Sequence, residues 1–472
     1  MKLSLCAVLT SMFLALTGGT AEPIKLHPDN PRYFLYQSKP TILITSGEHY
    51  GAVLNLDFDY IPYLNELQAR GFNQTRTFGG SYREIPGSFG IQDNTLAPLP
   101  NKFICPWARS DTPGYFDAGN KFDLAKWDDA YFKRLKDFLA QAAQRGIVVE
   151  LSLFCPNYDE KLWQANPMNA KNNINNVGNC PLKEPYTLKH EDLTKVQDAM
   201  VRKIVSELKD CDNLYYEIAN EPYFGGITLE WQAHIAATIV DAEKDFPAKH
   251  LIAQNIANKT AKVKDPNAAV SIFNFHYAKP PVAVATNWEL NKVIGFDETG
   301  FRGSTDKPYR TEAWDFILAG GAEYSNLDYS YSAKAPNGTG VVKAPGGGGP
   351  AFRAQLKILK DFIYGFDFVK MAPDQTVVKT GLPANTTFRA LAQPGKAYAV
   401  FFLTGGGDLK TAPAPEPMNL TLTLAQGDYT VEWINTQTGA LELTEQLKHP
   451  GGSAVLTSPQ YSEEMALKIV AK

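Results

Sequence analysis

The feature that most constrains this chain is a unit that recurs between residues 40 and 370. The unit is an amphipathic helix, a glycine and then a short apolar strand. Four apolar residues fall on one face of the helix predicted in residues 126–145: Phe132, Leu135, Leu139 and Ala142. Gly146 is suited to end that helix, and residues 147–151 form the next apolar run. The same order occurs around Gly71, so the pattern predicts parallel βα units.

Eight such strands can be placed before residue 330. They lie near residues 41–46, 72–77, 147–154, 213–219, 250–255, 270–275, 292–297 and 320–328. An open, doubly wound sheet is the competing arrangement, but no glycine-rich phosphate turn follows the first strand. Eight units over this length instead suit an α/β fold of the (β/α)8 type, a TIM barrel with insertions.

After residue 372 the apolar period changes from that of a helix to that of a strand. Residues 420–424 and 429–433 each alternate apolar and polar side chains, and turn residues lie between them. We predict that these two strands form an antiparallel hairpin within a small all-β sandwich at residues 373–472. Trp433 shares its face with Tyr429 and Val431, which favours a place in the sandwich core over an exposed glycan platform.

The first 21 residues have the pattern of a secretory signal. Lys2 precedes an apolar run that ends near Leu16, and the small residues before position 22 suit cleavage after Ala21. A retained N-terminal anchor is the alternative. With cleavage, we predict a barrel domain at residues 22–372, no transmembrane segment in the mature chain, and a secreted or periplasmic location. We also expect a monomer.

Composition excludes some partners. Losing Lys2 with the signal makes the formal charge of −4 one unit more negative. Such a chain lacks the basic surface that nucleic acid requires, so no nucleic-acid partner is expected. Four cysteines remain in the mature chain: Cys105, Cys155, Cys180 and Cys211. They allow two disulfides in three pairings, or a free Cys211. None has metal-ligand spacing, and we expect no metal or cofactor.

Two long connections follow the second and third strands, at residues 79–122 and 155–190. Both leave the carboxyl ends of their strands, where the active sites of such barrels lie. Four aromatic residues in these connections are candidates for the wall of a substrate cleft: Trp107, Tyr115, Tyr158 and Trp163. The alternative is that they only pack the loops against the barrel.

Two strands end in carboxylates. The fourth strand runs into Asn220, Glu221 and Pro222, and the seventh runs into Glu298, which lies 77 residues later. Strands four and seven face each other across a barrel mouth, so both carboxylates can reach one cavity. Two facing carboxylates are the equipment for cleaving a glycosidic bond. One protonates the departing oxygen, and the other attacks the anomeric carbon.

These motifs resemble glycoside hydrolase clan A, the group that contains the family 5 cellulases and mannanases. The resemblance implies that Glu221 is the acid/base, that Asn220 binds the sugar 2-hydroxyl, and that Glu298 is the nucleophile. The run from Gly71 to Arg76 is similar to the clan's second strand, whose arginine bonds to the nucleophile. The barrel followed by a sandwich also resembles bacterial cellulase-like enzymes with an immunoglobulin-like tail.

Other strand ends supply further candidates for binding substrate. His276 and Tyr277 resemble the clan's sixth strand, but they are adjacent here, so at most one of them faces the cavity unless the strand has ended. We favour Tyr277 and leave His276 open between a site residue and a structural histidine. Three more candidates lie at strands one and eight: Glu48, His49 and Tyr329. Either Tyr329 or Tyr331 could take the place of the clan's tryptophan.

The sequence thus predicts an exported retaining glycoside hydrolase that cleaves β-linked poly- or oligosaccharides. A catalytically inactive carbohydrate-binding barrel is the alternative; such proteins usually lose one of the two carboxylates, and both are present here. A metal-dependent hydrolase on the same barrel would need His and Asp ligands at several strand ends. Only His49 and His276 are available for that role.

Overall fold

The computed structural model describes residues 22–343, 345–407 and 416–472. The predicted signal, residues 1–21, lies outside these ranges. None of the described helices is both long enough and apolar enough to span a membrane.

Three short strands precede the barrel. They are β1 (Lys25–Leu26), β2 (Phe34–Tyr36) and β3 (Lys39–Thr41). They form an antiparallel sheet at the amino-terminal end of the barrel, where the Ile24 N–H donates to the carbonyl of Asp212 at 2.8 Å. Phe34 stacks on Tyr215 there, which closes the barrel floor with apolar contacts.

Eight parallel strands then form the barrel. They are β4 (Leu43–Gly47), β5 (Gln74–Phe78), β8 (Val148–Ser152), β9 (Leu214–Glu217), β10 (Leu251–Asn258), β11 (Ile272–His276), β12 (Val293–Glu298) and β13 (Glu323–Leu327). The ladder runs from β5 through β8–β13 in order and ends on β4. The barrel closes where β4 and β5 meet, and there the Phe78 N–H donates to the carbonyl of Tyr50 at 3.1 Å. The predicted TIM barrel and all eight of its strands are therefore confirmed.

Helices surround the sheet. They are α1 (Tyr60–Ala69), α2 (Asp129–Ala143), α3 (Glu160–Ala165), α4 (Glu191–Glu207), α5 (Leu229–Ala242), α6 (Val282–Thr286), α7 (Asp306–Leu318) and α8 (Pro350–Tyr364). The Asp128 carboxylate caps the start of α2 by accepting from two backbone N–H groups. Gly71 and Gly146 follow α1 and α2 with φ of +73° and +68°, the left-handed conformation expected of a glycine beyond a helix end. Residues 259–271, all described, contain no helix between β10 and β11.

The long connection after β5 folds into a hairpin of β6 (Trp107–Pro113) and β7 (Asn120–Trp127). Trp107 is fully buried in it. All four described cysteines are free thiols, so neither of the two permitted disulfides forms.

The remaining strands form two antiparallel sheets. They are β14 (Ala372–Pro373), β15 (Val378–Thr380), β16 (Thr386–Gln393), β17 (Ala397–Thr404), β18 (Glu416–Leu424), β19 (Gly427–Ile434), β20 (Leu441–His449), β21 (Gly452–Tyr461) and β22 (Glu464–Ala471). One sheet has the order β14-β16-β17-β22-β19-β20 and the other β15-β18-β21. Apolar residues of both sheets share one core that includes Trp433, so the sandwich is confirmed.

The predicted hairpin within the sandwich is wrong. Strands β18 and β19 follow one another in sequence, yet β18 pairs with β21 and β19 pairs with β22. Their apolar faces meet across the core, since Leu422 and Val431 are both fully buried in it. An alternating pattern of apolar and polar residues indicates that one face of a strand is buried, but it does not indicate which strand pairs with it.

The sandwich packs on the barrel through α7. Trp314 on α7 stacks on Phe401 of β17 with ring centroids 5.5 Å apart. Arg310 makes a buried ion pair with Glu464, and Arg389 pairs with Asp315 at 3.0 Å. The domain boundary predicted after residue 372 stays a prediction, although the last barrel helix ends at Tyr364 and the first sandwich strand begins at Ala372.

Candidate active site

A cavity of about 430 Å³ opens at the carboxyl ends of the barrel strands. Its lining consists of His49, Tyr50, Phe78, Glu84, Phe89, Leu96, Cys155, Tyr158, Asn220, Glu221, Phe224, Asn258, Tyr277, Glu298 and Phe301. Both predicted carboxylates, Glu221 and Glu298, are therefore on its surface. This volume lies in the range of small-molecule sites.

Glu298 is the last residue of β12, and donors surround it. The Tyr50 hydroxyl donates to its Oε2 at 2.8 Å, and the Tyr277 hydroxyl donates to its Oε1 at 2.9 Å. The Arg76 guanidinium lies 3.4 Å from Oε2. Burial opposes ionisation of this carboxyl, but the charge of His276, the guanidinium of Arg76 and the Tyr50 hydroxyl together hold the pKa of Glu298 well below its usual value. Glu298 is thus ionised throughout the neutral range.

Glu221 lies just beyond the end of β9 in a strained backbone conformation, with φ of +34°. The Tyr158 hydroxyl donates to its Oε2 at 2.6 Å, and the Tyr223 hydroxyl lies 3.1 Å from its Oε1. Asn220 lines the same cavity, and its Nδ2 donates to the Tyr158 hydroxyl at 2.9 Å. The strained turn points Glu221 and Asn220 into one space, although they are neighbours in sequence.

His276 connects the two carboxylates. Its Nδ1 lies 3.1 Å from Oε1 of Glu221 and 3.3 Å from Oε1 of Glu298. One ligand atom from each of these three residues can be chosen so that all lie within 4.8 Å of one another. Burial alone would lower the pKa of His276, but the neighbouring carboxylates of Glu298 and Asp297 raise it well above its usual value.

We expected His276 and Tyr277 to face the cavity together only if the strand had ended. Strand β11 does end at His276, and Tyr277 adopts the left-handed conformation with φ of +49°. The alternation of a strand no longer applies past that point, and both side chains reach the carboxylates. Tyr277 lines the cavity as favoured, and His276, which the sequence left open, also contacts both carboxylates.

Arg76 is buried below the cavity and contacts several acids at once. Its Nη2 donates to Oε2 of Glu217 at 2.5 Å and to Oδ1 of Asn220 at 2.8 Å. Carboxylate oxygens of Glu150 and Asp297 lie 3.6 Å and 3.5 Å away from the guanidinium. Glu150, Glu217 and Asp297 have the spacing of a metal-ligand group. The guanidinium already supplies the positive charge among them, so this geometry gives no reason to assign an ion.

The other predicted residues differ in their positions. His49 lines the cavity, and its Nε2 lies 3.3 Å from Oε1 of Glu84. Tyr329 is not among the lining residues, and its ring lies 5.8 Å from that of His49 and 6.4 Å from that of Phe301. Glu48 is buried and accepts from the backbone N–H groups of Gly51 and Ala52, and burial raises its pKa to about 7. Glu48 therefore holds the loop after β4 and does not line the cavity.

Trp107 is not part of the cavity wall. Its side chain is fully buried at the start of the β6–β7 hairpin, where it packs with the barrel core. For this residue the cleft-wall prediction was wrong, and the alternative of loop packing holds. Tyr115 and Trp163 are buried in the same way, and of the four aromatic candidates only Tyr158 reaches the cavity.

Several site residues were absent from the predicted set. The hydroxyls of Tyr50 and Tyr223 bond directly to the two carboxylates. Tyr50 and Tyr223 each lie within two residues of a recognised motif, so their closeness to these motifs in sequence could have identified them as site residues. Three phenylalanines on the lining carry no polar atom and gave no signal in sequence: Phe89, Phe224 and Phe301.

An eight-stranded parallel barrel with two close carboxylates at its carboxyl end is consistent with clan A of the glycoside hydrolases. Residues 105–317 match the model of the cellulase family, glycosyl hydrolase family 5. This matched segment, which includes β8 to β12 of the barrel, is therefore similar to a family 5 domain, and the chain is a glycoside hydrolase. No curated protein sequence matches it.

Solved structures share the architecture at low identity. A candidate glycoside hydrolase from Bacteroides vulgatus ATCC 8482 is 13% identical, with a TM-score of 0.65, over 96% of this chain and 82% of its own. A family 5 glycoside hydrolase from the same organism is 14% identical, with a TM-score of 0.62, over 95% of this chain and 93% of its own. These likenesses extend over both domains and support the fold.

We expect Tyr277→Phe to weaken the enzyme by removing the 2.9 Å bond to Glu298. A hydrogen bond to a charged group contributes about 1.5–3 kcal/mol, so kcat/KM on a glycoside should fall about 10- to 100-fold. The lost donor favoured the ionised carboxylate. The pKa of Glu298 should therefore rise, and the acidic limb of the pH–kcat/KM profile should move to higher pH.

Tyr33→Phe is the matched control for that variant. The Tyr33 hydroxyl is buried and has no hydrogen-bond partner among the described residues. Its loss should leave both kcat/KM and the profile unchanged. If Tyr277→Phe behaved like this control, the Tyr277 hydroxyl would have no influence on Glu298.

Proposed function

We propose that this protein is a retaining β-glycosidase that acts by double displacement. Glu298 attacks the anomeric carbon while Glu221 gives its proton to the departing oxygen, which forms a glycosyl-enzyme ester and releases the leaving group. Glu221 then takes a proton from water, the water oxygen attacks the same carbon, and Glu298 is released as a carboxylate. The sugar is freed with its β configuration retained.

The separation of the two carboxylates carries this proposal. One oxygen of Glu221 and one oxygen of Glu298 lie within 4.8 Å of each other. Retaining enzymes hold their carboxyl groups about 5–5.5 Å apart, whereas inverting enzymes leave about 6.5–9.5 Å for a water molecule. The short separation favours direct attack by a carboxylate over attack by a water molecule held between the two groups.

The surroundings of the two carboxylates support the division of roles. Glu298 lies 3.4 Å from the guanidinium of Arg76, which favours the ionised state that a nucleophile needs. Glu221 is instead contacted by the hydroxyls of Tyr158 and Tyr223, and it shares the His276 ring with Glu298. Such hydroxyls can stay in contact with either protonation state of Glu221, as an acid/base group that alternates between them requires.

Asn220 has a supporting role. Its Oδ1 accepts from Arg76 and its Nδ2 donates to Tyr158, so its amide orientation is fixed from both ends. We propose that it binds the sugar 2-hydroxyl, with His49 and Tyr277 as further contacts in the cavity. The substrate class is β-linked poly- or oligosaccharide, and a panel of such glycans with sizing of the products tests it.

Glu298→Ala should abolish hydrolysis, because the attacking oxygen is gone. Azide can occupy the vacated space and attack from the same side, so turnover of an activated β-glycoside should return with an α-glycosyl azide as product. Proton NMR of the product assigns its configuration. A β-linked azide from this variant would contradict the assignment of Glu298.

Glu221→Ala should retain turnover of 2,4-dinitrophenyl β-glycosides, whose leaving group needs no proton, and should lose activity on unactivated glycosides. Azide should then give a β-glycosyl azide, the opposite product from that of the Glu298 variant. Wild-type rates on both kinds of substrate would exclude Glu221 as the acid. If the wild-type chain bound glycans but hydrolysed none, the inactive binding barrel would be the better interpretation.

We also propose export, from the signal pattern in residues 1–21. The mature chain should begin at Glu22 when it is isolated from the periplasm or the culture medium and sequenced from its amino terminus. A chain that still began at Met1 in the membrane fraction would support the retained anchor instead. We expect the mature protein to be a monomer, which gel filtration with light scattering measures.

A further inference from the structure

Three phenylalanines are half-exposed around the mouth of the active-site cavity. Phe89, Phe224 and Phe301 are 43%, 43% and 41% exposed, and all three line the cavity. Large apolar side chains that are exposed together mark a binding surface more often than those scattered singly. This group lies on the one cavity that holds both catalytic carboxylates.

Two of these rings flank the proposed acid/base. Phe224 follows Glu221 by three residues, and its N–H donates to the Glu221 carbonyl at 3.0 Å. The ring of Tyr158 lies 5.1 Å from that of Phe89 and 5.8 Å from that of Phe224. The Tyr158 hydroxyl donates to Glu221, so Phe89 and Phe224 contact the residue that holds the acid/base in place.

The same lining also carries polar side chains. Glu298, Asn220, His49 and Glu84 present carboxylate, amide and imidazole groups to the cavity. Sugar hydroxyls require such partners. The cavity therefore combines polar groups that can meet sugar hydroxyls with the hydrocarbon surface of Phe89 and Phe224 near the acid/base.

Because the acid/base protonates the departing oxygen, the leaving group must lie next to Glu221 during the reaction. From this position we infer that the enzyme accepts β-glycosides whose leaving group is rich in hydrocarbon, an alkyl or aryl alcohol, and that Phe89 and Phe224 form its binding site. This inference rests on the proposed function, since it needs Glu221 to be the acid/base.

The reaction needs no further reagent. The bond between the anomeric carbon and the alcohol oxygen breaks, Glu221 supplies the proton that makes the free alcohol, and water later replaces Glu298 on the sugar. Phenylalanine lacks the polar atom with which tyrosine and tryptophan can also bond to sugar hydroxyls, so an apolar chain is the better match to this surface.

The test begins with 2,4-dinitrophenyl β-glycosides of several sugars, which show whether the enzyme is active and which sugar it accepts. No hydrolysis of any of them would overturn the proposed function itself. With the accepted sugar, kcat/KM is then measured for n-alkyl β-glycosides from methyl to octyl. Each methylene that the phenylalanines cover should raise kcat/KM by about two- to fourfold.

Variants locate the effect. Phe89→Ala and Phe224→Ala should each reduce the dependence on chain length, and the double variant should remove most of it. Phe116→Ala is the matched control, since Phe116 is also 43% exposed and lies outside this cavity. The Phe116→Ala variant should keep the full dependence of kcat/KM on alkyl chain length. Thermal unfolding of each variant checks that the fold is intact.

Two results would overturn the inference while leaving the glycosidase intact. One is a kcat/KM that does not change with alkyl length. The other is a kcat/KM that rises when sugar units are added to the leaving group and stays flat when methylenes are added. The first result would mean that Phe89 and Phe224 do not contact the leaving group. The second would mean that Phe89 and Phe224 stack on sugar rings.

Discussion

The site depends on one buried cation, the guanidinium of Arg76. Carboxyl groups from β8, β9 and β12 point into the barrel beside it: Glu150, Glu217, Asp297 and Glu298. Breaking a buried ion pair on one side leaves a charge without compensation and costs about 3–5 kcal/mol. Burial raises the pKa of Glu150 and Glu217, whereas Glu298 keeps its charge because Arg76 and His276 both reach it. Arg76 thereby supports the barrel interior and the proposed nucleophile together.

Three of the residues that meet at this centre leave their strands in unusual backbone conformations. Tyr50, Glu221 and Tyr277 all have positive φ, a state that costs a residue with a side chain about 1–3 kcal/mol. Each one contacts a carboxylate or is itself one of the pair. A regular strand would send alternate side chains away from the mouth. The turns after β4, β9 and β11 bring adjacent residues to the same cavity, and the hydrogen bonds at Glu298 and Glu221 help to offset the strain.

The outer parts of the chain have supporting roles. The sandwich covers α7 through Trp314 and the Arg310–Glu464 pair, which agrees with a stabilising role. The loops after β5 and β8 contribute Phe89 and Tyr158 to the cavity, while their larger aromatics are buried. Most of the loop aromatics thus fix the loops, and a few exposed rings are left to meet a substrate.

Sequence alone determined the barrel, its eight strands and the pair Glu221 and Glu298, because apolar periodicity and strand-end carboxylates are local signals. It also identified Arg76 and Asn220 through short motifs. Only the tertiary structure decided that His276 and Tyr277 both face the carboxylates, that Trp107 is core, and that β18 and β19 belong to different sheets. Each of these depends on where a strand stops or on which distant strand lies beside it. Such contacts join residues far apart in the chain, and no local pattern encodes them.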